Sequence, residues 1–144
     1  VSPILDYTTT IDATRTAVQI NHALARAGAH QVTTLYAGGE PTGISFGITT
    51  EHGPRSFELP ANVEGVWAAL KAEKIEARYR SQPHARRVAW RILKDWIDVN
   101  LAVVQAGMAN LDTVMLPYML TGTGSTLGQE YHKSAGLRSA IEAS

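Results

Sequence analysis

Ile44, Phe46 and Ile48 alternate with Gly43, Ser45 and Gly47. That is the period of a strand with one buried face. The reading predicts strands on either side of it. One covers residues 31–37, beyond the turn Gly38-Gly39-Glu40-Pro41. A shorter one, carried by Phe57 and Leu59, lies beyond the turn His52-Gly53-Pro54. Connections this short make an antiparallel meander. Residues 4–10 are mostly β-branched or aromatic and are read as a further, opening strand.

Helical spacing takes over elsewhere. Asp12 is a good N-cap for a helix whose face carries Ala13, Ala17, Ile20, Leu24 and Ala27, and Gly28 closes it. A second helix starts at Asn62 with Val63, Val66, Trp67 and Leu70 inward. The longest runs from Pro83 to about Ala106. It carries two apolar stripes: Ala85, Val88, Ile92, Trp96, Val99, Val103, and Ala89, Leu93, Ile97, Leu101, Val104. So wide an apolar arc predicts a helix that is largely buried or shared between subunits. Residues 111–120 are apolar and helical on both sides of Pro117. Residues 121–126 read as a Gly/Ser/Thr-rich flexible loop, and the tail beyond is weakly patterned.

The expected fold class is α+β. A small antiparallel sheet in β-α-β-β-β-α order is followed by a helical C-terminal region containing one long helix. The boundaries are a sheet domain over residues 1–73, a basic linker over 74–83, a helical region over 84–120 packed on the sheet, and a loop and tail over 121–144. The inner α-β-β-β-α order matches the connectivity of a double-stranded-RNA-binding domain. However, Asn62-Val63-Glu64-Gly65 stands where such domains start their last helix with basic residues. Topology alone does not fix function.

Length and composition sharpen this picture. A chain of 144 residues reads as one domain large enough to need no staples. Charged residues are 18% of it, below the usual quarter, which suggests more buried surface than a small monomer has, or an oligomer; the two apolar stripes of the long helix and the apolar residues 114–120 favour a homodimer. Without cysteine there is no disulfide and no thiolate chemistry. No apolar run reaches the ~20 residues of a membrane span, and the opening residues do not read as a signal peptide. The expectation is a cytoplasmic protein with no membrane contact.

Charge is unevenly spread. Between Lys71 and Lys94 lie eight of the thirteen basic residues and only two acids, a formal +6 in a chain whose net charge is zero. Such polarity points to an anionic partner. The candidate binding residues are Arg78, Tyr79, Arg80, Arg86, Arg87, Trp90, Arg91 and Lys94. Arg87, Arg91 and Lys94 share a helix face, and Tyr79 and Trp90 offer rings for stacking on bases or guanidinium groups. Trp90 lies well round the helix from Trp96, so it is read as the more exposed tryptophan, and Trp96 as core. The plain alternative is a solvated helix face with local pairing to Asp95 and Asp98.

The five histidines are scattered, with no zinc-helix spacing and no acid cluster, so neither a metal nor another cofactor is expected. His84, beside Arg86, is read as adding to the positive field. Residues 122–126 lack the lysine of a phosphate-binding loop. No nucleophile–base constellation appears, so the chain is not read as an enzyme and no catalytic residue is assigned.

Several stretches resemble a family of small, largely uncharacterised proteins encoded by bacteriophages and prophages. They are Tyr7-Thr8-Thr9-Thr10-Ile11, Leu24-Ala25-Arg26-Ala27-Gly28-Ala29, Phe57-Glu58-Leu59-Pro60-Ala61-Asn62-Val63-Glu64, Arg87-Val88-Ala89-Trp90-Arg91, Lys94-Asp95-Trp96, Met115-Leu116-Pro117-Tyr118-Met119 and Thr126-Leu127. The resemblance transfers no catalytic residue. It implies the cytosol of an infected host bacterium as the site of action, and roles in nucleic-acid metabolism, host takeover or counter-defence. Two functions follow as expectations. One is a non-enzymatic accessory protein that binds nucleic acid through its basic helix and linker. The other is an inhibitor of an acidic host defence protein, or a binder of a nucleotide signal, through the same face.

Overall fold

In the computed structural model, which describes residues 3–134 and residue 142, the alternating segment becomes the centre of the sheet. It is β2 (Glu40–Thr50), paired antiparallel with β1 (His30–Ala37) on one side and β3 (Gly53–Pro60) on the other. Ile44, Phe46, Phe57 and Leu59 are buried on one face, with the Phe46 and Phe57 rings stacked at 5.4 Å. Gly47, on the other face, leaves room for the His30 ring, which a Cβ there would meet at 2.5 Å and push aside.

Helix α1 (Ala13–Arg26) covers the apolar face through Ala13, Ala17, Ile20 and Leu24. Helix α2 (Val63–Ala72) starts at Asn62, whose Oδ1 accepts from the Gly65 amide at 3.0 Å. Helix α3 (Gln82–Gln105) starts at Ser81, whose Oγ accepts from the His84 amide at 3.3 Å. Gly107, at φ +76°, follows its last turn. Helix α3 belongs to two cores at once. Trp90 and Ile97 join the sheet and α1, while Ala85, Val88 and Ala89 pack against Val63, Val66 and Leu70 of α2. Burial on two sides is why its apolar arc is so wide. No helix among the described residues is long and apolar enough to cross a membrane.

The fold is thus α+β with one antiparallel sheet and one long helix, as the pattern predicts, but the opening strand is not formed. Residues 4–10 turn twice, with the Tyr7 amide donating to the Ile4 carbonyl and the Thr9 amide to the Asp6 carbonyl. Asp6 sits at φ +64°. The physical reason lies in spacing. Ile4 and Tyr7, three apart, both reach the α2–α3 core, which a strand's alternation would forbid. Asp12 also departs from expectation: it stands at the N-cap of α1, but its side chain makes no capping bond.

The C-terminal region is more ordered than its composition indicates. Helix α4 (Leu111–Val114) and a 3-10 turn (Leu116–Tyr118) lead to a short pairing on the outer edge of β3. There the Leu120 amide donates to the Ser56 carbonyl at 2.8 Å. Helix α5 (Leu127–Lys133) then begins with a capping box made by Thr126 and Gln129. The expected loop at 121–126 is tied by hydroxyl contacts among Thr121, Thr123 and Ser125. The rest of the predicted tail lies outside the described residues.

Candidate anion-contact site

The eight candidate residues do not form one surface. Trp90 is fully buried, and its Nε1 donates to the Pro41 carbonyl at 3.1 Å. It is a core residue and offers no ring to a ligand. Trp96 is half-buried and meets Tyr118 edge to face at 5.6 Å. The expected roles of the two tryptophans are therefore reversed in degree.

Three of the cations are engaged within the fold. Arg91 crosses from α3 to α1, donating to Gln19 Oε1 at 2.7 Å and Thr16 Oγ1 at 3.3 Å. Arg86 reaches the start of β2, with its Nε 3.5 Å from Glu40 Oε2 and its side chain only 19% exposed. Lys94 pairs one turn on with Asp98 at 2.6 Å. Arg91 and Arg86 tie α3 to separate elements, so their side chains are held in the fold, and Glu40 partly offsets the charge of Arg86.

The open charge gathers around the start of α3 and the turn before it. A 3-10 turn (Ala77–Tyr79) carries Arg78 and Tyr79, with Arg80 immediately after. Arg78 is 68% exposed, pairs with Glu76 at 3.0 Å and lies 4.7 Å over the Tyr79 ring. Arg80 is exposed and has no side-chain partner among the described residues. The Tyr79 ring is wedged between Tyr7 at 5.5 Å and His84 at 5.2 Å.

Arg87 is positioned by His84, which is 2% exposed. The His84 Nε2–H donates to the Tyr7 carbonyl, and an Arg87 N–H donates to His84 Nδ1 at 3.1 Å. A neutral ring with its proton on Nε2 satisfies both partners. His84 therefore orients Arg87. Arg87 lines two adjoining clefts. One, of about 370 Å³, is also lined by residues 8–10, Arg78 and Tyr79. The other, of about 500 Å³, runs past Asp12, Gln82 and Arg86 to Glu40.

Residues 7–10 and the positioning role of His84 were missed by sequence reasoning. The loss follows from reading residues 4–10 as a strand, which removes the wall of the smaller cleft. Nothing in the spacing of His84 could have revealed a partner 77 positions away. A separate 430 Å³ pocket beside α5, with Glu58 and His132 on its wall, has no comparable cluster of cations. No group of three or more metal-ligating side chains occurs among the described residues.

Comparison with known proteins gives no relative: no family model, no curated protein and no solved structure matches this chain.

Proposed function

We propose that this chain is a non-enzymatic accessory protein that contacts nucleic-acid phosphates through Arg78, Arg80 and Arg87, with Tyr79 beside them. The observation that carries the reading is the division of the basic segment. Arg86, Arg91 and Lys94 are engaged within the fold, whereas Arg87 is held at the junction of two clefts, one of which Arg78 also lines, and Arg80 is exposed and unpaired among the described residues in the turn that precedes α3. Guanidinium groups on a concave, solvent-facing surface suit phosphate oxygens, which they can meet with paired N–H donors. The exposed edge of Tyr79 can flank a base, although most of its ring is occupied by Tyr7 and His84. The resemblance to phage-encoded proteins supports a host bacterial cytosol as the site of action.

One observation favours a second reading, binding to a host protein. Asp12, Glu40 and Glu76 stand among the cations. A surface of mixed sign fits a folded protein partner better than it fits a uniform row of phosphates. Binding of labelled single-stranded DNA, double-stranded DNA and RNA across a salt series separates the two. Phosphate contact gives an affinity that falls with a log–log slope of ~0.7–0.9 per neutralised phosphate. Absence of binding to all three at low salt removes the first reading and leaves the second.

A further inference from the structure

Residues 4–10 are an irregular segment held across the α2–α3 crevice by the side chains of Ile4 and Tyr7, which pack on the α2–α3 core, and by polar contacts. The Ile4 amide donates to Glu73 Oε1 at 2.9 Å. The Tyr7 carbonyl accepts from His84, and its ring meets Tyr79. Between these anchors Asp6 adopts φ +64°, a conformation uncommon for a residue with a side chain. That backbone turns the Asp6 carboxyl inward, where its Oδ2 is buried and has no hydrogen-bond partner. The groups facing it from α3 are Asp95, a like-charged neighbour, and Arg91, an opposite one. Arg91 is already committed to Gln19 and Thr16 of α1. At the end of α2, Glu73 brings a third carboxylate to the same segment, and its Oε2 is also buried and unpaired. His84 faces the segment from α3 through its contact with the Tyr7 carbonyl.

We infer that residues 4–10 form a proton-dependent clasp, closed when Asp6 and Asp95 share a proton and loosened when both are ionised. With one proton between them, a carboxylic acid donates to a carboxylate. With none, two like charges face each other with only a shared arginine to offset them. Burial first, and then the hydrogen bond and charge of Asp95, raise the Asp6 carboxyl from 3.8 to about 6, while Arg91 lowers it. The sign follows from linkage. The closed segment binds the proton more tightly than the open one, so closure is favoured as pH falls. The contribution is fully present below about 4 and is lost as pH rises through about 6.

The clasp bears on the candidate site, because residues 8–10 wall the cleft that Arg87 lines and Tyr7 holds the histidine that orients Arg87. This consequence rests on the phosphate-binding reading. The clasp itself does not, and is tested without any ligand.

The test is residue-resolved amide hydrogen exchange of the free protein between pH 4 and pH 7.5, corrected for intrinsic rates. The reporters are Tyr7 and Thr9, whose amides close the two turns. The Asp6 side-chain carboxyl is followed by NMR in parallel. In the wild type, Asp6 titrates near 6, and the protection of Tyr7 and Thr9 falls up to about 100-fold across the range. Asp6→Asn and Asp95→Asn each keep the shape and remove one charge, so each gives protection that stays high and flat. Wild-type protection that does not change with pH overturns the clasp. So does a pH dependence that survives in both variants. Loss of nucleic-acid binding on changing Arg87, with the exchange profile intact, concerns the binding reading alone.

Discussion

The two sides of the basic segment differ in what surrounds them, and not in their residues. On the inner side, Arg86, Arg91 and Lys94 find Glu40, Gln19, Thr16 and Asp98 within hydrogen-bonding or ion-pairing distance. On the outer side, Arg78, Arg80 and Arg87 face clefts and solvent, with Glu76, Asp12 and one histidine among them. A run of cations in a sequence therefore states the charge that must be placed, and the tertiary neighbours decide how much of it is left for a partner. Here about half is spent on holding α3 to α1, to β2 and to its own next turn.

This contrast can be broken by substitution, and the largest effect belongs to the residue first read as exposed. Trp90→Ala removes a fully buried ring and a donor to the Pro41 carbonyl. Urea unfolding should show a loss of ~3–5 kcal/mol, as for other large-to-small core changes. A loss below about 1 kcal/mol would mean that the ring is not packed as described.

Next comes Arg91→Ala. It deletes two hydrogen bonds between α3 and α1 and removes the cation beside Asp6 and Asp95. Hydrogen bonds from a charged donor contribute about 1.5–3 kcal/mol, and this one is only half-buried, so a loss of ~1–2 kcal/mol is expected. The double variant Arg78→Ala, Arg80→Ala lies at the small end. Both side chains are exposed, and exposed side chains away from the core shift stability by about 0.5 kcal/mol each or less. Matching thermal unfolding curves for this variant and the wild type would support the division, and a double variant that unfolds at room temperature would abolish it.

Much of the fold was legible in the chain. The Ile44, Phe46 and Ile48 alternation sufficed for β2, because a one-residue slip in register would expose all three. Asn62, Gly28 and Gly107 marked helix ends for local reasons that need no partner. Trp90 was legible too, though from a different reference. Measured from Trp96 it lies off the stripe, but Trp90, Leu93, Ile97, Leu101 and Val104 recur at intervals of three and four. What the sequence could not show was which arginine is engaged. Arg91 meets residues 72 and 75 positions away, and Glu40 is brought to Arg86 only by the sheet. Residues 4–10 failed for another reason. Their β-branched composition is a preference for a pleated, paired surface, and the outer edge of β3 is instead paired by the chain near Met119 and Leu120.

The central claim is that the outer arginines, and not the inner ones, are the phosphate contacts. The most direct measurement is the salt dependence of binding to a labelled single-stranded oligonucleotide. The comparison sets wild type against Arg87→Ala, Arg80→Ala and the inner-side change Lys94→Ala. The account predicts that each outer change weakens binding and lowers the log–log salt slope by roughly one unit, while Lys94→Ala leaves both unchanged. An equal loss of slope from Lys94→Ala, or a slope untouched by Arg80→Ala and Arg87→Ala, would contradict it.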